Sequence, residues 1–440
     1  MPLYVGVDDT DSLRGMCTTF LAAEIVRELA DVDLVGYPRL VRLNPNVPWK
    51  TRGNGAICLR FGRGRGTAVQ VGELGSRGIA AYPRGDPVPV DDVADRIAPL
   101  VERWSAMDDP ATNPGLVVLR VRPPSGLYWR AVREIVSRDD ATAALAGRGR
   151  IRRWKNGRGV IGAAAACAWR PRDRTFEVLT YRRPERWGRP REIDPESVRA
   201  MDRAVPSTFN NYDYDEDRVV IAPHSPCPIL FGIRGDRPDV LEGAMRSIRG
   251  ERPAGWLVFE TNQGTDDHVG PSVWPPRPYR AQSLTGTVVG PPHTVPGGHV
   301  VFRVRAAGEV DATVYEPAKA LRRVARALAV GDRIRVVGST RASPRTINVE
   351  KFEVLGLVPT ARKVRNPRCT CGKSMKSIGR GAGYRCPRCG RRNGRYEAEY
   401  VTVPRSIAPR WYEPPAGSRR HLSKPLQRLG QRTVVGRLPI

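Results

Sequence analysis

The sequence contains no long apolar run and has comparatively few acidic residues. Its longest run of small apolar residues, Gly162 to Trp169, is far too short to span a bilayer, and the first strand leads directly into Asp8 and Asp9 without an apolar signal core. We therefore expect no membrane partner and a cytoplasmic location. Lys and Arg number 73 against 45 Asp and Glu, a formal excess of +28 over 440 residues. This excess indicates a polyanionic partner, most often nucleic acid, although Arg richness also follows from gene base composition or a hot habitat.

Cysteine is too scattered for a disulfide framework. Four of the eight cysteines are dispersed, and the other four form two short pairs separated by 14 residues: Cys369, Cys371, Cys386 and Cys389. Four thiolates spaced in this way predict a zinc ribbon with a tetrahedral structural Zn2+ site. The first pair is C-x-C where C-x-x-C is usual, so it requires a tighter turn and either altered geometry or weaker zinc binding.

The chain is long enough for two to four domains, and its composition is that of a folded protein. Pattern and composition predict a multidomain α+β protein with a proline-rich boundary at residues 270–279. The expected units are an α/β domain over 1–135, a ferredoxin-like α+β domain over 136–270, an OB-fold β-barrel over 281–358, the zinc ribbon over 361–395 and a basic C-terminal tail over 396–440.

Apolar periodicity predicts the elements on which the fold class depends. A strand is expected at Leu3–Val7, followed by a helix that contains Phe20 and Leu29. In the barrel region we expect one helix between the third and fourth of five short strands: Leu284–Val289, Val300–Arg305, Val310–Tyr315, Arg333–Val337 and Ile347–Val354. This is the layout of an OB-fold, which often binds oligonucleotides, but another small β-barrel would show the same pattern.

The strongest N-terminal motif places three carboxylates, Asp8, Asp9 and Asp11, at the end of the first strand. A turn with Gly15 then opens a helix at Thr18 and Thr19, whose N-terminal amides can hold phosphate. Carboxylates beside a phosphate site are what a magnesium–nucleotide site needs, because Mg2+ prefers oxygen ligands. The alternative is a capped turn with solvated aspartates.

Two further loops carry polar groups suited to a nucleotide. The stretch 39–56 combines glycines with amide and cationic side chains: Asn44, Asn46, Lys50, Arg52 and Asn54. The stretch 107–115 adds Asp108 and Asp109. By themselves, the first could be a basic surface loop and the second an ordinary Asn-Pro turn.

The middle and C-terminal regions contain weaker candidates. Polar loops beside core strands offer Asn211, Asp213 and His224, although a lone His beside prolines is more often structural. In the tail, Arg410–Arg428 interleaves basic residues with aromatic rings, which suits single-stranded nucleic acid. The alternative for this segment is a disordered basic tail.

Together these motifs resemble one family over nearly the whole chain. They are GVDDTDSLRGMCTTF, NPNVPWKTRGNG, DDPATNPG, KNGRGVIGA and PHSPCPILFGIRG, followed by the predicted barrel and ribbon. The combination is similar to the archaeal tRNA(Ile) 2-agmatinylcytidine synthetases, the agmatidine synthetase or TiaS family. The shortened first cysteine pair is the clearest departure, and it bears on the zinc site more than on the reaction.

The resemblance implies an ATP-dependent ligase that attaches agmatine to carbon 2 of the wobble cytidine of the isoleucine tRNA with anticodon CAU, so that this tRNA reads AUA instead of AUG. It implies a kinase-like N-terminal domain in which the three aspartates hold Mg2+, Thr18 takes up phosphate, and Lys50, Arg52 and Asn54 stabilise phosphate charge. From the sequence alone, Thr18 is equally well a helix cap. The implied ATP site also includes Gly15, Thr19, Asn44, Asn46, Asn54, Asp108 and Asp109. Candidates for binding agmatine are Asn211, Asp213 and His224.

Two functions of other classes fit parts of the sequence. A nucleic-acid-binding protein without catalysis would explain the charge, the barrel and the ribbon, but it leaves the N-terminal carboxylates unused. A small-molecule kinase would use the carboxylates but not the basic C-terminal third. Consumption of ATP that depends on tRNA distinguishes the ligase from both.

Overall fold

The computed structural model describes residues 1–379, 381–393 and 398–433. Parts of the predicted ribbon (residues 380 and 394–395) and of the predicted tail (residues 396–397 and 434–440) lie outside the described residues. None of the described helices combines the length and the apolar character needed to cross a bilayer.

The N-terminal region alternates strands with helices, as its apolar periodicity predicts. Its elements are β1 (Leu3–Asp8), α1 (Thr18–Glu28), β2 (Asp33–Val35), β3 (Arg39–Arg42), β4 (Gly55–Arg65), β5 (Val69–Leu74), β6 (Arg77–Tyr82), β7 (Arg84–Asp86), α2 (Val90–Trp104), β8 (Gly115–Leu119), α3 (Ser125–Arg133), α4 (Arg138–Ala143) and β9 (Gly149–Arg153). Alternate residues of β1 (Leu3, Val5 and Val7) are buried under α1 and α2, in one of the two cores that cover the sheet.

The middle region begins with an apolar helix and continues as an antiparallel layer. Its elements are α5 (Gly159–Ala168), β10 (Thr175–Tyr181), α6 (Pro195–Ala204), β11 (Thr208–Phe209), β12 (Tyr212–Asp213), β13 (Arg218–Val219), β14 (Ile229–Gly235), α7 (Leu241–Arg246) and β15 (Gly255–Thr261). Helices α6 and α7 bury Val198, Met201 and Leu241 against strands β10 and β14.

The two regions share one continuous sheet, in the order β11-β14-β10-β15-β5-β6-β2-β4-β1-β8-β9. Strand β15 joins them, because it pairs antiparallel with β5 and parallel with β3. A ladder of backbone hydrogen bonds therefore crosses from one region to the other, and the regions are not linked by a flexible connection alone.

Helix α5 lies directly on the N-terminal part of this sheet, because glycines remove the side chains between the backbones. A Cβ on Gly6 of β1 would be 2.3 Å from the carbonyl oxygen of Ala163, and one on Gly115 would be 2.1 Å from the amide nitrogen of Val160. Strand β9 also pairs with β8. Residues 149–168 thus pack with the N-terminal sheet, although the sequence-based division assigned them to the second unit; the domain limits stay a prediction.

A closed five-stranded barrel follows the proline-rich boundary. The elements of this region are β16 (Val269–Gly270), β17 (Ala281–Thr294), β18 (Val300–Arg305), β19 (Glu309–Val314), α8 (Ala320–Arg326), β20 (Arg333–Thr340) and β21 (Thr346–Gly356). The ring closes in the order β17-β18-β19-β21-β20, with β20 paired back to β17. The predicted barrel is confirmed, including the position of its helix between the third and fourth strands.

The C-terminal elements are short, and the chain then returns to the body of the protein. They are β22 (Thr360–Arg365), β23 (Lys376–Ser377), β24 (Tyr384–Arg385), β25 (Arg392–Asn393), β26 (Glu399–Val403) and β27 (Trp411–Tyr412). We call residues 410–433 the C-terminal segment. Its strand β27 pairs with β21 of the barrel, and Leu422 is buried in the core beneath α3 and α5. The described part of this segment is therefore ordered and packed, unlike a disordered tail.

Buried ion pairs fasten the C-terminal segment to the middle region. Lys424 donates to Asp173 over 2.7 Å. Arg428 is fully buried, with bonds to Asp236 at 2.6 Å and to Asp173 at 3.1 Å. These basic residues, which suggested contacts with nucleic acid, neutralise carboxylates within the protein instead.

Candidate functional site

A cleft of about 530 Å3 opens where the N-terminal region, the middle region and the C-terminal segment meet. Its walls are the end of β1, the start of α1, the loop between β3 and β4, the N-terminus of α5, the loop before β14, and residues 416–421. The predicted site residues that line it are Asp8, Asp9, Asp11, Thr18, Thr19, Lys50, Arg52, Asn54 and His224.

The three aspartates differ in their partners. Asp9, in the left-handed conformation at φ 59°, accepts two hydrogen bonds from Arg158 at 3.0 and 3.1 Å. Asp11 accepts from Arg52 Nε at 2.7 Å and from the Thr51 hydroxyl at 3.2 Å. Among the described residues, no Lys or Arg side chain forms an ion pair with Asp8. Asp8 is thus the carboxylate left available to a cation.

The pKa values of Asp8 and Asp9 also indicate that these carboxylates would be stabilised by a nearby positive charge. Burial raises the pKa of Asp8 well above its ordinary value, and the neighbouring Asp9 raises it further. Burial also raises the pKa of Asp9, although Arg158 opposes this shift. Because oxygen donors at a strand end fit a hard divalent cation, these residues form a donor set suited to Mg2+.

A glycine in α5 makes room for Asp8. A Cβ on Gly162 would be 1.8 Å from Asp8 Oδ2, a distance that no real side chain adopts. The helix therefore directs its first turn, with its positive dipole end, at the carboxylates. Arg158, the residue before this helix, holds Asp9.

The first turn of α1 faces the same cleft. Its capping position is Cys17, whose carbonyl accepts from the amides of Phe20 and Leu21. Thr18 is the first helical residue, and its hydroxyl oxygen accepts a hydrogen bond from the Thr10 hydroxyl at 3.0 Å. Thr18 is therefore not the side-chain cap of this helix, and the free amides of the first turn remain available to an anion.

The loop between β3 and β4 divides into a lining part and a supporting part. Lys50, Arg52 and Asn54 line the cleft. Asn44 and Asn46 lie behind them: the Asn44 side chain accepts from the Asn46 amide at 2.9 Å and donates to the carbonyl of Tyr279.

Lys50 is reachable from the cleft mouth. Even so, partial burial lowers the pKa of its ammonium group, and Arg420 lowers it further. Asn46 accepts from that same Arg420 at 2.6 Å. The loop therefore lines the cleft through Lys50 and contacts the C-terminal segment through Asn46.

Outside this loop, Thr19 is the predicted nucleotide residue that lines the cleft, whereas Gly15, Asp108 and Asp109 lie away from it. Gly15 accepts from the Ser12 amide within its own turn. Asp109 accepts from the amide of Ala111 at 2.9 Å, and its neighbour Asp108 is exposed.

Of the three candidates for binding agmatine, His224 alone lines the cleft. Asn211 is buried and donates to Asp202 and Thr208. Asp213 is buried and accepts from the amide of Gly417 at 3.1 Å, so it positions the C-terminal segment. Both side chains are engaged in structural hydrogen bonds.

Several cleft residues gave no signal in the sequence. The clearest group is a polar cluster on the far wall, in which Glu177 accepts from Arg234 at 2.9 Å and from Gln263 at 2.5 Å. Arg42 and burial lower the pKa of His421 well below its ordinary value, so this imidazole is neutral. Arg158 and Gly162 could have been found, because both lie in the glycine-containing motif KNGRGVIGA; the other residues come from distant segments without any motif.

The four clustered cysteines converge as predicted. Their sulfur atoms all lie within 4.8 Å of one another, and two pairs, Cys369 with Cys389 and Cys371 with Cys386, are 3.5 Å apart. Tetrahedral Zn2+ with Zn–S bonds of about 2.3 Å requires sulfurs about 3.8 Å apart, close to what is seen. The residues therefore fit a structural zinc ion, and the C-x-C pair reaches the site.

Three domain models of one family match the chain. The TiaS TCKD domain matches residues 4–154, the TiaS FLD domain matches residues 157–268, and the TiaS C-terminal zinc ribbon domain matches residues 366–407. Together they account for well over half of the chain.

Similar proteins match along nearly their whole length. The tRNA(Ile) 2-agmatinylcytidine synthetase TiaS of Methanocaldococcus jannaschii is 37% identical over 438 residues, which cover 97% of this chain and 98% of that protein. The protein of the same name from Archaeoglobus fulgidus is 38% identical over 446 residues, with 98% of each covered.

Solved structures agree with the sequence comparisons. The crystal structure of TiaS in complex with an isoleucine tRNA and ATP has a TM-score of 0.83 at 36% identity and covers 97% of both chains. That of TiaS with the same tRNA, AMPCPP and agmatine has a TM-score of 0.81 at 34% identity, again with 97% of both chains covered. With its domain models, its relatives and its fold in agreement, the chain belongs to the TiaS family of tRNA(Ile) 2-agmatinylcytidine synthetases.

Proposed function

We propose that the protein joins agmatine to carbon 2 of the wobble cytidine of the isoleucine tRNA whose anticodon is CAU, and consumes ATP in the reaction. The observation that carries this proposal is the single cleft in which Asp8, Asp9 and Asp11 face Thr18 and Arg52. Relatives that share nearly the whole chain bear the name of this activity. A non-catalytic nucleic-acid-binding protein would have no use for a cleft built in this way.

The chemistry explains the need for ATP. The C2 oxygen of cytosine is a very poor leaving group, and its phosphorylation converts a departing oxide into a departing phosphate. The amine of agmatine then forms the new C–N bond as phosphate leaves. The cleft therefore has to bind phosphate, a flipped-out base and a primary amine together.

Within the cleft, we assign Asp8, Asp9 and Asp11 to hold Mg2+, which when bound would neutralise charge on the phosphates of ATP. Arg158 and Arg52 orient two of these carboxylates through the hydrogen bonds described above. Thr18, at the start of α1, is assigned to take up phosphate.

We assign Lys50 and Arg52, which line the cleft from the loop between β3 and β4, to stabilise negative charge on the transferred phosphate. Asn54, whose amide donates to the carbonyl of Asn44 at 2.8 Å, keeps this loop in shape.

The amine must lose a proton before it attacks. A primary amine is protonated near neutral pH, but burial disfavours the charged form of an ammonium group. The same effect already lowers the pKa of Lys50 in this cleft. We therefore assign to the cleft walls, with His224 among them, the task of desolvating the amine so that its free form is populated.

The remaining modules would grip the tRNA. We propose that the N-terminal region is a kinase-like domain, that the middle region is ferredoxin-like and that the barrel is an OB-fold. Support comes from the antiparallel layer of β14, β10 and β15 under α6 and α7, and from the closed ring of five barrel strands. Contacts distant from the wobble base can supply the binding energy that offsets the cost of extruding it.

The decisive experiment is mass analysis of the nucleosides from tRNA incubated with the protein. We expect 2-agmatinylcytidine only when agmatine, ATP and the isoleucine transcript are all present. The elongator methionine tRNA is the control, because it has the same CAU anticodon on a different body. ATP consumption without tRNA would support a small-molecule kinase instead, and tRNA binding without any ATP consumption would support a non-catalytic binding protein.

A second substrate tests where specificity comes from. An isolated anticodon stem-loop of the isoleucine tRNA lacks the contacts of the tRNA body, so it should lose turnover and not only affinity. Efficient modification of this stem-loop would show that the remote modules do not select the substrate.

A further inference from the structure

Five arginines converge at the C-terminal end of α5, at the opposite end of that helix from the aspartates. We call them the arginine cluster: Arg39, Arg60, Arg122, Arg170 and Arg174. Their charges interact with one another and with Glu260 of β15. Arg39 also donates to the carbonyl of Trp169, just after α5. The cluster therefore spans both regions of the shared sheet.

Within the part of the chain that the structure describes, the cluster contains more positive than negative charge. Among the described residues, Glu260 is the carboxylate that the cluster shares, and it is already bound by Arg39 at 2.8 Å and by Arg174. The side chains of Arg60, Arg122 and Arg170 form no hydrogen bond or ion pair within the described part of the chain. The Nε atoms of Arg60 and Arg122 are buried without any partner.

Holding these groups together is electrostatically unfavourable. Burial lowers the pKa of Arg60 to about 10, and the charge of Arg39 contributes to this shift. Burial and Arg39 also lower the pKa of Arg122. Charges removed from water are normally retained only when they are paired, but within the described part of the chain no carboxylate forms an ion pair with Arg60, Arg122 or Arg170.

Access and position suit an anion from solution. Arg170 is exposed, and Arg60 and Arg122 are half-buried. Arg122 lies over the ring of Tyr4 on β1, and the four residues from Tyr4 to Asp8 span about 13 Å along the strand. The cluster is thus on the same sheet as the aspartates, and distinct from them.

We propose that the arginine cluster binds phosphate groups through the unpaired guanidinium groups of Arg60, Arg122 and Arg170. Guanidinium presents a planar fork that matches phosphate oxygens in a bidentate manner. The source that we expect is the backbone of the RNA whose base enters the cleft, and this part rests on the proposed function. Inorganic phosphate is the other source of the same chemistry.

The test compares two double variants that remove the same charge. The first is Arg60→Gln with Arg122→Gln, which leaves the Arg39–Glu260 pair intact. The control is Arg77→Gln with Arg103→Gln, two exposed residues on the α1 and α2 side of the sheet. For each protein, tRNA affinity is measured over a series of salt concentrations, and the unfolding temperature is measured with and without inorganic phosphate.

We expect the cluster variant to bind tRNA about 10-fold more weakly than the control at moderate salt. The slope of the logarithm of its binding constant against the logarithm of the salt concentration should be shallower, by the amount expected for the loss of about one to two phosphate contacts. Its unfolding temperature without ligand should equal or exceed that of the wild type, because the repulsion is relieved. Arg60→Lys with Arg122→Lys keeps the charge and should recover most of the salt dependence. A purely structural role predicts the opposite, a lower unfolding temperature and no recovery with Lys.

The tRNA-binding and phosphate measurements together distinguish RNA phosphate from inorganic phosphate as the ligand. They also distinguish failure of the arginine-cluster site from failure of the proposed function. If tRNA binding is unchanged but stabilisation by inorganic phosphate is lost, the cluster is a site for free phosphate. If the cluster variant matches the control in both arms, the inference is overturned. Failure of the wild type to bind tRNA would refute the proposed function, while the phosphate arm would still decide whether the cluster binds an anion.

Discussion

The close approach of Gly162 to Asp8 gives a sharp prediction. In Gly162→Ala the new Cβ would start 1.8 Å from Asp8 Oδ2, whereas side chains stay at least 3.0 Å from their neighbours, so the carboxylate has to move by about 1.2 Å. A displacement of about 1 Å in a reacting group is enough to lower the rate about 100-fold. We therefore expect kcat for agmatidine formation to fall by about two orders of magnitude.

Stability should change much less than activity. Replacing Gly by Ala inside a helix stabilises by about 0.4–1 kcal/mol, whereas overpacking costs about 1–3 kcal/mol. The free energy of unfolding should therefore fall by only about 0–2.5 kcal/mol, and tRNA affinity should remain close to that of the wild type.

The matched control is Gly243→Ala. Gly243 lies in α7, and a Cβ built there has no atom within 4 Å. This variant should keep the wild-type kcat and gain up to about 1 kcal/mol of stability. The assay is single-turnover and steady-state product formation, together with urea unfolding of both variants. Wild-type kcat in Gly162→Ala would refute the argument that the glycine exists to seat Asp8.

Four further outcomes are expected. Asp9→Asn should abolish ATP turnover while tRNA affinity stays nearly normal. Full ATP turnover by this variant would contradict the assignment of Asp9 as a Mg2+ ligand. Because burial and Asp9 raise the pKa of Asp8, the Mg2+ concentration needed for half-maximal activity should rise as the pH falls, beginning above the ordinary titration range of Asp; a value that stays constant until the pH reaches that ordinary range would contradict this. Cys371→Ser should lower the zinc content, measured by elemental analysis, below one ion per chain. The control Cys58→Ser, at one of the dispersed cysteines, should leave the zinc content unchanged. Arg428→Met leaves Asp173 without one of its partners in a buried site and should lower the free energy of unfolding by about 3–5 kcal/mol. A loss under 1 kcal/mol would show that this ion pair contributes little to the stability of the C-terminal segment.

Local pattern accounts for the parts of this protein that could be predicted from sequence. The aspartates could be placed at a strand end because β1 alternates apolar residues immediately before them, and the barrel strands show the same period of two. The cysteines are short-range pairs, so their convergence follows from spacing. These features depend on neighbours within a few residues.

The parts that escaped prediction depend on long-range contacts. Arg428 and its partner Asp173 are 255 residues apart, and nothing in either segment indicates the other. Without those partners, the basic residues of the C-terminal segment suggested contacts with nucleic acid. Similarly, Asp213 looked like a free acceptor, but the amide of Gly417 satisfies it. A charged side chain in a sequence does not show whether its counter-charge lies within the protein or on a ligand.

The route of the C-terminal segment also sets the timing of assembly during translation. The ribosome completes β15 roughly 160 residues before it reaches His421, which at about 5–20 residues per second corresponds to about 10–30 s. During that interval the carboxylates of β1 lie beside a groove that still lacks the wall formed by Arg419 and His421. The barrel and the cysteine ribbon have to be synthesised before the segment can return and complete the cleft, so a nascent chain acquires its full active site only late in synthesis.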